Sequence, residues 1–308
     1  DFAVPSLLAL HDAGHDIACV VTSPDKPRGR GRKVSPTPVK SAASERNLPV
    51  IEAGDLRDPS FIDALRELAA DLFVVVAFRI LPEEAFSIPP AGSFNLHASL
   101  LPRYRGAAPI NHALMNGEKI SGVTTFFLRK QVDTGNIILQ QPVPLHENMT
   151  AGELHDLLAD VGAVAVVRTV EMIEDGDVEA LAQDDTLASP APKIFRADCA
   201  IPWDDPARNV HDHIRGLSPH PAAWTRIHGR EMKILESRVA DEDSIGIPGM
   251  ILETTPQVRV QCGNGSIELL KLKAEGSRAM TAEEYLRGHQ LREREMFISP
   301  SGGNTPTS

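Results

Sequence analysis

Cysteine is scarce in this 308-residue sequence: Cys19, Cys199 and Cys262 lie far apart, without the paired spacing of a zinc site or a disulfide framework. That scarcity points to a reducing cytoplasm and to a fold held together by its core. Long apolar runs are missing too. The longest, such as Leu72 to Phe78, falls well short of the ~20 residues that cross a bilayer, and no secretory signal precedes Val4, so a soluble cytoplasmic chain with no membrane partner is expected. Positive charge is outnumbered. With 31 Lys and Arg against 42 Asp and Glu the net charge is −11, which argues against a surface that binds nucleic acid wholesale. A Walker-type or Gly-x-Gly-x-x-Gly phosphate loop after a strand is lacking as well, which argues against a nucleotide or dinucleotide cofactor.

The length suits two domains, and 42% hydrophobic residues suit folded cores. The first two thirds alternate helical and extended signals. Val4 to Ala13, Pro38 to Arg46, Pro59 to Ala69 and Ile110 to Met115 read as helices; Ile17 to Thr22, Leu72 to Phe78, Ser93 to His97 and Val123 to Leu128 read as strands. Strands apolar on both faces belong in a parallel sheet covered by helices, so an α/β domain with a Rossmann-like, mostly parallel sheet is expected over residues 1–181. Thr150 followed by Glu153 is a capping-box pattern that opens a long apolar helix to about Ile173.

After Gly176 the pattern changes. Residues 182–203 mix Pro190, Pro192 and Pro202 with polar residues and read as a linker. A short helix around Asn209 to Ile214 precedes strand signals at Met232–Glu236, Met250–Glu253, Val258–Cys262 and Ile267–Leu272, the last two joined by a Gly263-Asn264-Gly265 hairpin turn. Thr281 and Glu284 cap a further helix to about Leu291. Residues 204–298 therefore read as a smaller β-barrel domain and 299–308 as a disordered tail. His211 and His213, two apart on a helix, diverge and make a poor metal pair; they are expected at the surface, and no metal is expected. Trp203 and Trp224 are expected to anchor the linker and second domain.

The chemistry concentrates in Phe94-Asn95-Leu96-His97-Ala98-Ser99-Leu100-Leu101-Pro102-Arg103-Tyr104-Arg105-Gly106. On a strand Asn95 and His97 leave the same face at the carboxyl end of the sheet, which is where open α/β sheets place ligands. Asp133-Thr134-Gly135 follows the next strand in a turn. A carboxylate there can orient the His97 imidazole and favour its protonated form, and the Asn95 amide can donate to an oxygen gaining negative charge. The three suit attack by an amine on an acyl carbon, with no nucleophilic side chain required.

The order Asn-x-His-x-Ser-Leu-Leu-Pro, then Asp-Thr-Gly about one strand later, resembles the folate-dependent formyltransferase superfamily. The resemblance implies that Asn95, His97 and Asp133 are catalytic. It also implies that Ser99, Leu100, Leu101 and Pro102 contact the tetrahydrofolate, and that the strand end from Val76 to Leu81, with Phe78, Ile80 and Leu81, helps line the pterin pocket. Within the superfamily the chain looks most like the methionyl-tRNA formyltransferases, from Asp1 to about Pro300. Pro24 to Lys33 matches the basic loop of that family, which enters the acceptor end of the tRNA, so Arg28, Arg30, Arg32 and Lys33 are the expected tRNA contacts. 10-Formyltetrahydrofolate is then the formyl donor, initiator methionyl-tRNA the acceptor, and a monomer the expected state.

The loop supports this reading on its own physics. Lys26, Arg28, Arg30, Arg32 and Lys33 crowd into eight residues, glycines at 29 and 31 are expected to keep the backbone mobile, and guanidinium groups pair with phosphate oxygens two bonds at a time. Two departures stand out. The family usually opens with a strand and a Gly-Thr-Pro turn before the Asp-Phe matched by Asp1 and Phe2. Losing a buried strand would expose core surface at roughly 25 cal/mol per Å², so an upstream start is expected. Residues 205–308 carry 13 Lys and Arg against 14 Asp and Glu, which is not a broadly basic surface. Sugar-nucleotide amine formylation and formyltetrahydrofolate hydrolysis are the enzymatic rivals, against which the basic loop and second domain argue; a silent RNA-binding relative is disfavoured by the intact trio.

Overall fold

The structure is a computed structural model that describes residues 1–28, 33–255 and 257–299. The chain begins α1 (Ala3–Asp12), β1 (Val20–Thr22), β2 (Lys26–Arg28), β3 (Lys33–Ser35), α2 (Pro38–Glu45), β4 (Val50–Glu52) and α3 (Pro59–Glu67). It continues with β5 (Phe73–Val76), α4 (Glu83–Phe86), β6 (Ser93–His97), β7 (Arg105–Gly106), α5 (Pro109–Met115), β8 (Ile120–Phe127), β9 (Ile137–Pro144) and α6 (Ala151–Glu174). Then follow β10 (Pro190–Ala191), α7 (Ala207–Leu217), β11 (Ala223–Ile227), β12 (Arg230–Asp241), β13 (Ile251–Glu253), β14 (Val258–Gln261), β15 (Ser266–Ala274), β16 (Met280–Thr281) and α8 (Ala282–Gly288).

Two compact units emerge, and neither is continuous in sequence. One comprises residues 1–106, 121–143 and 155–190; the other comprises 107–120, 144–154 and 191–308. In the first, β1 and β4 pair in parallel, and β5, β6, β8 and β9 form a four-stranded sheet in that order. β5 runs parallel to β6 and β8 antiparallel to it. The helix starts follow local chemistry: Thr37 and Asp58 accept from the backbone at the openings of α2 and α3, each with a proline in the first turn, where a missing N–H costs nothing.

β6 is paired on both sides, so its alternation sorts the two faces. Leu96 points to α6, where a Cβ added at Gly162 would come within 2.7 Å of the Leu96 side chain. Its register partner Thr125 bonds Thr169 of α6, 2.8 Å apart. Asn95 and His97, with their partners Phe126 and Thr124, leave the opposite face.

The second unit is an antiparallel sheet in the order β11-β12-β15-β14-β13, with β16 added to β15. Register shifts between Ile234 and Asp241 curl it. The Gly263-Asn264-Gly265 turn joins β14 to β15, and Thr281 and Glu284 form a complete capping box. The segment 182–203 is ordered without any period: it carries short 3-10 turns at Asp185–Leu187 and Ala197–Cys199, and it buries Ala191, Cys199, Ile201 and Trp203. Both tryptophans are buried. Trp203 stacks on Phe297 and donates to Thr225 Oγ1 at 3.0 Å, and Trp224 donates to the Arg196 carbonyl at 2.9 Å.

His211 and His213 are not surface residues, as the sequence suggested, but 1% and 9% exposed. The reason is that α7 is covered on its polar side too. His211 bridges Ser237 Oγ (3.0 Å) and the Glu147 carbonyl (3.3 Å), and Arg215 pairs with Asp212 at 2.5 Å while reaching the carbonyls of Met149 and Leu114. Gly216 lets α5 approach, since a Cβ there would lie 2.6 Å from Met115 Cγ. Burial pushes the His211 imidazole below its ordinary range and His213 down to about 4.

Two outcomes follow from this helix. Arg215→Ala strands the Asp212 carboxylate in the interior and should cost about 3–5 kcal/mol, whereas Asp212→Leu with Arg215→Met should cost much less; urea midpoints of the three proteins check this. His213 is neutral when folded, with a folded pKa below its unfolded value. The stability tied to that difference is fully present above about pH 6.5 and is lost as pH falls from there toward about 4, by up to about 1.4 kcal/mol per pH unit. Urea unfolding across that window should show a shallower slope for His213→Gln.

Candidate active site

The carboxyl ends of β5 and β6 bring the signature together within the first unit. His97, at the last position of β6, is 7% exposed, and its Nε2 lies 2.8 Å from the Tyr104 carbonyl. A carbonyl only accepts, so Nε2 carries the hydrogen and Nδ1 is the nitrogen left for chemistry. Asp133 Oδ2 stands 3.9 Å from that Nδ1, an ion-pair distance rather than a direct hydrogen bond, with the carboxylate side chain 11% exposed. The same Oδ2 accepts the Gly106 N–H at 2.9 Å. The His97 ring meets Phe126 edge-on, with centroids 6.5 Å apart. Asn95 is half-buried on the same face and makes no side-chain hydrogen bond with another described residue.

Two of the residues that shape this site hold left-handed backbone: Tyr104 at φ 62° and Asp133 at φ 57°. Such conformations cost a non-glycine residue about 1–3 kcal/mol and persist where the surroundings over-determine them. At Tyr104 the surroundings are its carbonyl contact to His97 and its N–H bond to Ser189 Oγ at 2.9 Å. Gly135 has no room for a side chain, because a Cβ would sit 1.6 Å from the Phe127 carbonyl oxygen; the turn is pressed against the end of β8.

Ser99, Leu100, Leu101 and Pro102 leave β6 as an irregular segment fastened to β8 and β9. Thr124 Oγ1 donates to the Ser99 carbonyl at 2.6 Å and accepts the Leu101 N–H at 3.1 Å; Gln140 donates to the Leu101 carbonyl at 2.9 Å. Thr124 and Gln140 carry no motif; the β6–β8 register reveals Thr124, and the hydrogen bond from β9 to the Leu101 carbonyl reveals Gln140. Across the site edge, Ala77, the residue after β5, stands at φ 47°. Phe78 and Leu81 pack partly against the core, while Ile80 is 73% exposed. Arg79 fastens that segment through the carbonyls of Gly54, at 2.7 Å, and Ala53.

The basic loop rises on the β2–β3 hairpin, where Arg28 and Lys33 are register partners. Arg30 and Arg32 lie outside the described residues. At its foot, Lys40 bonds Asp25 at 2.9 Å and also Glu52, whose other oxygen accepts the Asp25 N–H. Asp25 and Glu52 are thus both paired with Lys40.

A family model described as formyl transferase matches residues 1–170, and one described as formyl transferase, C-terminal domain, matches 193–290. The methionyl-tRNA formyltransferase of Chlorobium phaeovibrioides is 48% identical over 305 residues, covering 97% of this chain and 96% of its own length. That of Moorella thermoacetica is 46% identical over 293 residues, 94% of each. Among solved structures, the N-formyltransferase from Helicobacter canadensis in complex with folinic acid and dTDP-3-aminofucose superposes with a TM-score of 0.66 at 24% identity, over 87% of this chain and 95% of that one. HypX from Aquifex aeolicus in complex with tetrahydrofolic acid does so at 0.59 and 18%, over 82% and 47%. At those identities the two structures show a shared fold. Family models over both parts of the chain, and relatives matching it at almost half of its positions from end to end, make it a member of the formyl transferase family, among the methionyl-tRNA formyltransferases.

Proposed function

We propose that this chain transfers the formyl group of 10-formyltetrahydrofolate to the amino group of initiator methionyl-tRNA in the cytoplasm, acting as a monomer and without a metal. The observation that carries the reading is the arrangement at the end of β6: an imidazole whose Nε2 is committed to a backbone carbonyl, a carboxylate 3.9 Å from its Nδ1, and an amide on the same face.

The residues divide the work as follows. The neutral methionyl amine attacks the formyl carbon, and the carbonyl oxygen becomes an oxyanion. The Asn95 amide and the Nδ1–H of protonated His97 donate to it, as donors aimed at developing charge do. Asp133, directly or through a water molecule, takes the proton lost by the amine and passes it toward the folate nitrogen, which leaves as the tetrahedral centre collapses. Ser99 to Pro102, fastened by Thr124 and Gln140, supplies backbone groups to the folate, and Phe78, Ile80 and Leu81 supply apolar surface to the pterin. Arg28, Arg30, Arg32 and Lys33 hold tRNA phosphates. The balanced charge of residues 205–308 supports assigning this task to the loop rather than to the second domain.

Incubation with 10-formyltetrahydrofolate and either initiator or elongator methionyl-tRNA should yield formylmethionine from the initiator; no product from either would reject the reading. Under single turnover at saturating tRNA, Asn95→Ala should be slower by about 10²- to 10³-fold and His97→Ala or Asp133→Ala by about 10²- to 10⁴-fold. A defect that higher tRNA concentration repairs would contradict the catalytic roles. Arg30→Ala should instead lower kcat/KM for the charged tRNA by about 10- to 100-fold while leaving the KM for the folate alone; unchanged kinetics would remove Arg30 from the tRNA contact.

A further inference from the structure

We propose that Gln183 is a positioning residue for the Asp133 carboxylate, an inference that rests on the formyl-transfer reading of the site. Gln183 lies in the segment that shows no periodicity in the sequence, yet its side chain is half-buried and fully engaged. Nε2 spends both of its hydrogens on the catalytic turn, donating to the Asp133 carbonyl at 2.9 Å and to the Gly135 carbonyl at 2.8 Å. Oε1 accepts from Arg105 twice, from Nε at 3.1 Å and from Nη2 at 2.7 Å. A guanidinium has no acceptor and a carbonyl no donor, so these partners allow one orientation of the amide.

The bracket closes on the carboxylate itself. Arg105 is held by Asp185 Oδ1 through Nη2 at 2.7 Å and by the Ser189 carbonyl through its backbone N–H at 2.9 Å. The next residue, Gly106, donates the N–H that holds Asp133 Oδ2. One amide therefore ties the backbone that carries the carboxylate to the backbone that aims it. Asp133 needs that support: its left-handed backbone is costly, and the Gly135 contact presses the turn from the β8 side only. With all four of its hydrogen-bonding positions used inside this bracket, Gln183 has none left for substrate, so its effect on catalysis runs through Asp133.

A double-mutant cycle tests this, because two residues that act as a unit do not add. Gln183→Met keeps the bulk and removes both ends; Gln183→Glu keeps the acceptor for Arg105 and turns an oxygen toward the two carbonyls. Each should lower kcat by about 10- to 100-fold, as small misplacements of reacting groups do, with KM for both substrates within about twofold. Each should also shift the pH–rate profile, which a purely structural role would leave in place. In an Asp133→Asn background the same substitutions should cost almost nothing further in single-turnover rate. Equal losses with and without the Asp133 carboxylate would overturn the proposal, as would Gln183 variants at wild-type rate beside an impaired Asp133→Asn. Wild-type turnover by Asp133→Asn itself would instead remove the formyl-transfer role of Asp133, and this inference with it. If Gln183→Met does not fold, Gln183→Glu carries the cycle.

Discussion

A strand hydrogen-bonded on both sides can place side chains only on its two faces and at its ends, and β6 is built under that constraint. β5 and β8 occupy its two edges, and α6 closes on Leu96 so tightly that position 162 has no room for a side chain. Helices that approach a sheet this closely exclude water from the face they cover. Asn95 and His97 lie on the other face, toward the carboxyl end where the chain leaves the ladder, while Ser93 at the amino end is buried and donates to the Phe86 carbonyl. Asn95 and His97 are where they are because Leu96 cannot be anywhere else.

The loops around that strand end are irregular but not loose. Tyr104 and Asp133 both sit in backbone conformations that unsupported residues avoid, and each is held by several hydrogen bonds from different parts of the chain. The rigidity has a chemical use. His97 presents Nδ1 rather than Nε2 because the Tyr104 carbonyl takes the other nitrogen, and Asp133 faces Nδ1 because Gly106 and Gln183 hold the turn. In the proposed reaction, a donor already oriented in this way costs no reorganisation when charge develops.

The second unit solves a different problem with similar means. Its α7 is polar along one side, yet residues from Val210 to Leu217 are buried. The apolar side meets the curled sheet through Val210, Ile214 and Leu217, and the polar side is satisfied by carbonyls at Leu114, Glu147 and Met149. Those carbonyls come from stretches far upstream in the chain. A buried ion pair such as Asp212–Arg215 adds little net stability, but every partner it has must be in place, which favours one arrangement over its neighbours.

Much of this was legible in the order of residues. Strands apolar on both faces, helix caps at Thr150 and Thr281, the Gly-Asn-Gly turn and the Asn-x-His spacing all act over a few residues, so local sequence determined them, along with the boundaries of β6 to the residue. What tertiary structure decided were the properties that depend on groups distant in the chain. The burial of His211 and His213 could not be read from helical spacing, since the stretches that cover α7 lie some sixty to a hundred residues upstream. The support given by Thr124, Gln140 and Gln183 follows from register and from carbonyls brought within 3 Å or so of their side chains, and a hydroxyl or amide carries no sign in sequence of which carbonyl it will meet. Short-range chemistry named the candidate groups; long-range packing chose which nitrogen of His97 and which oxygen of Asp133 face each other.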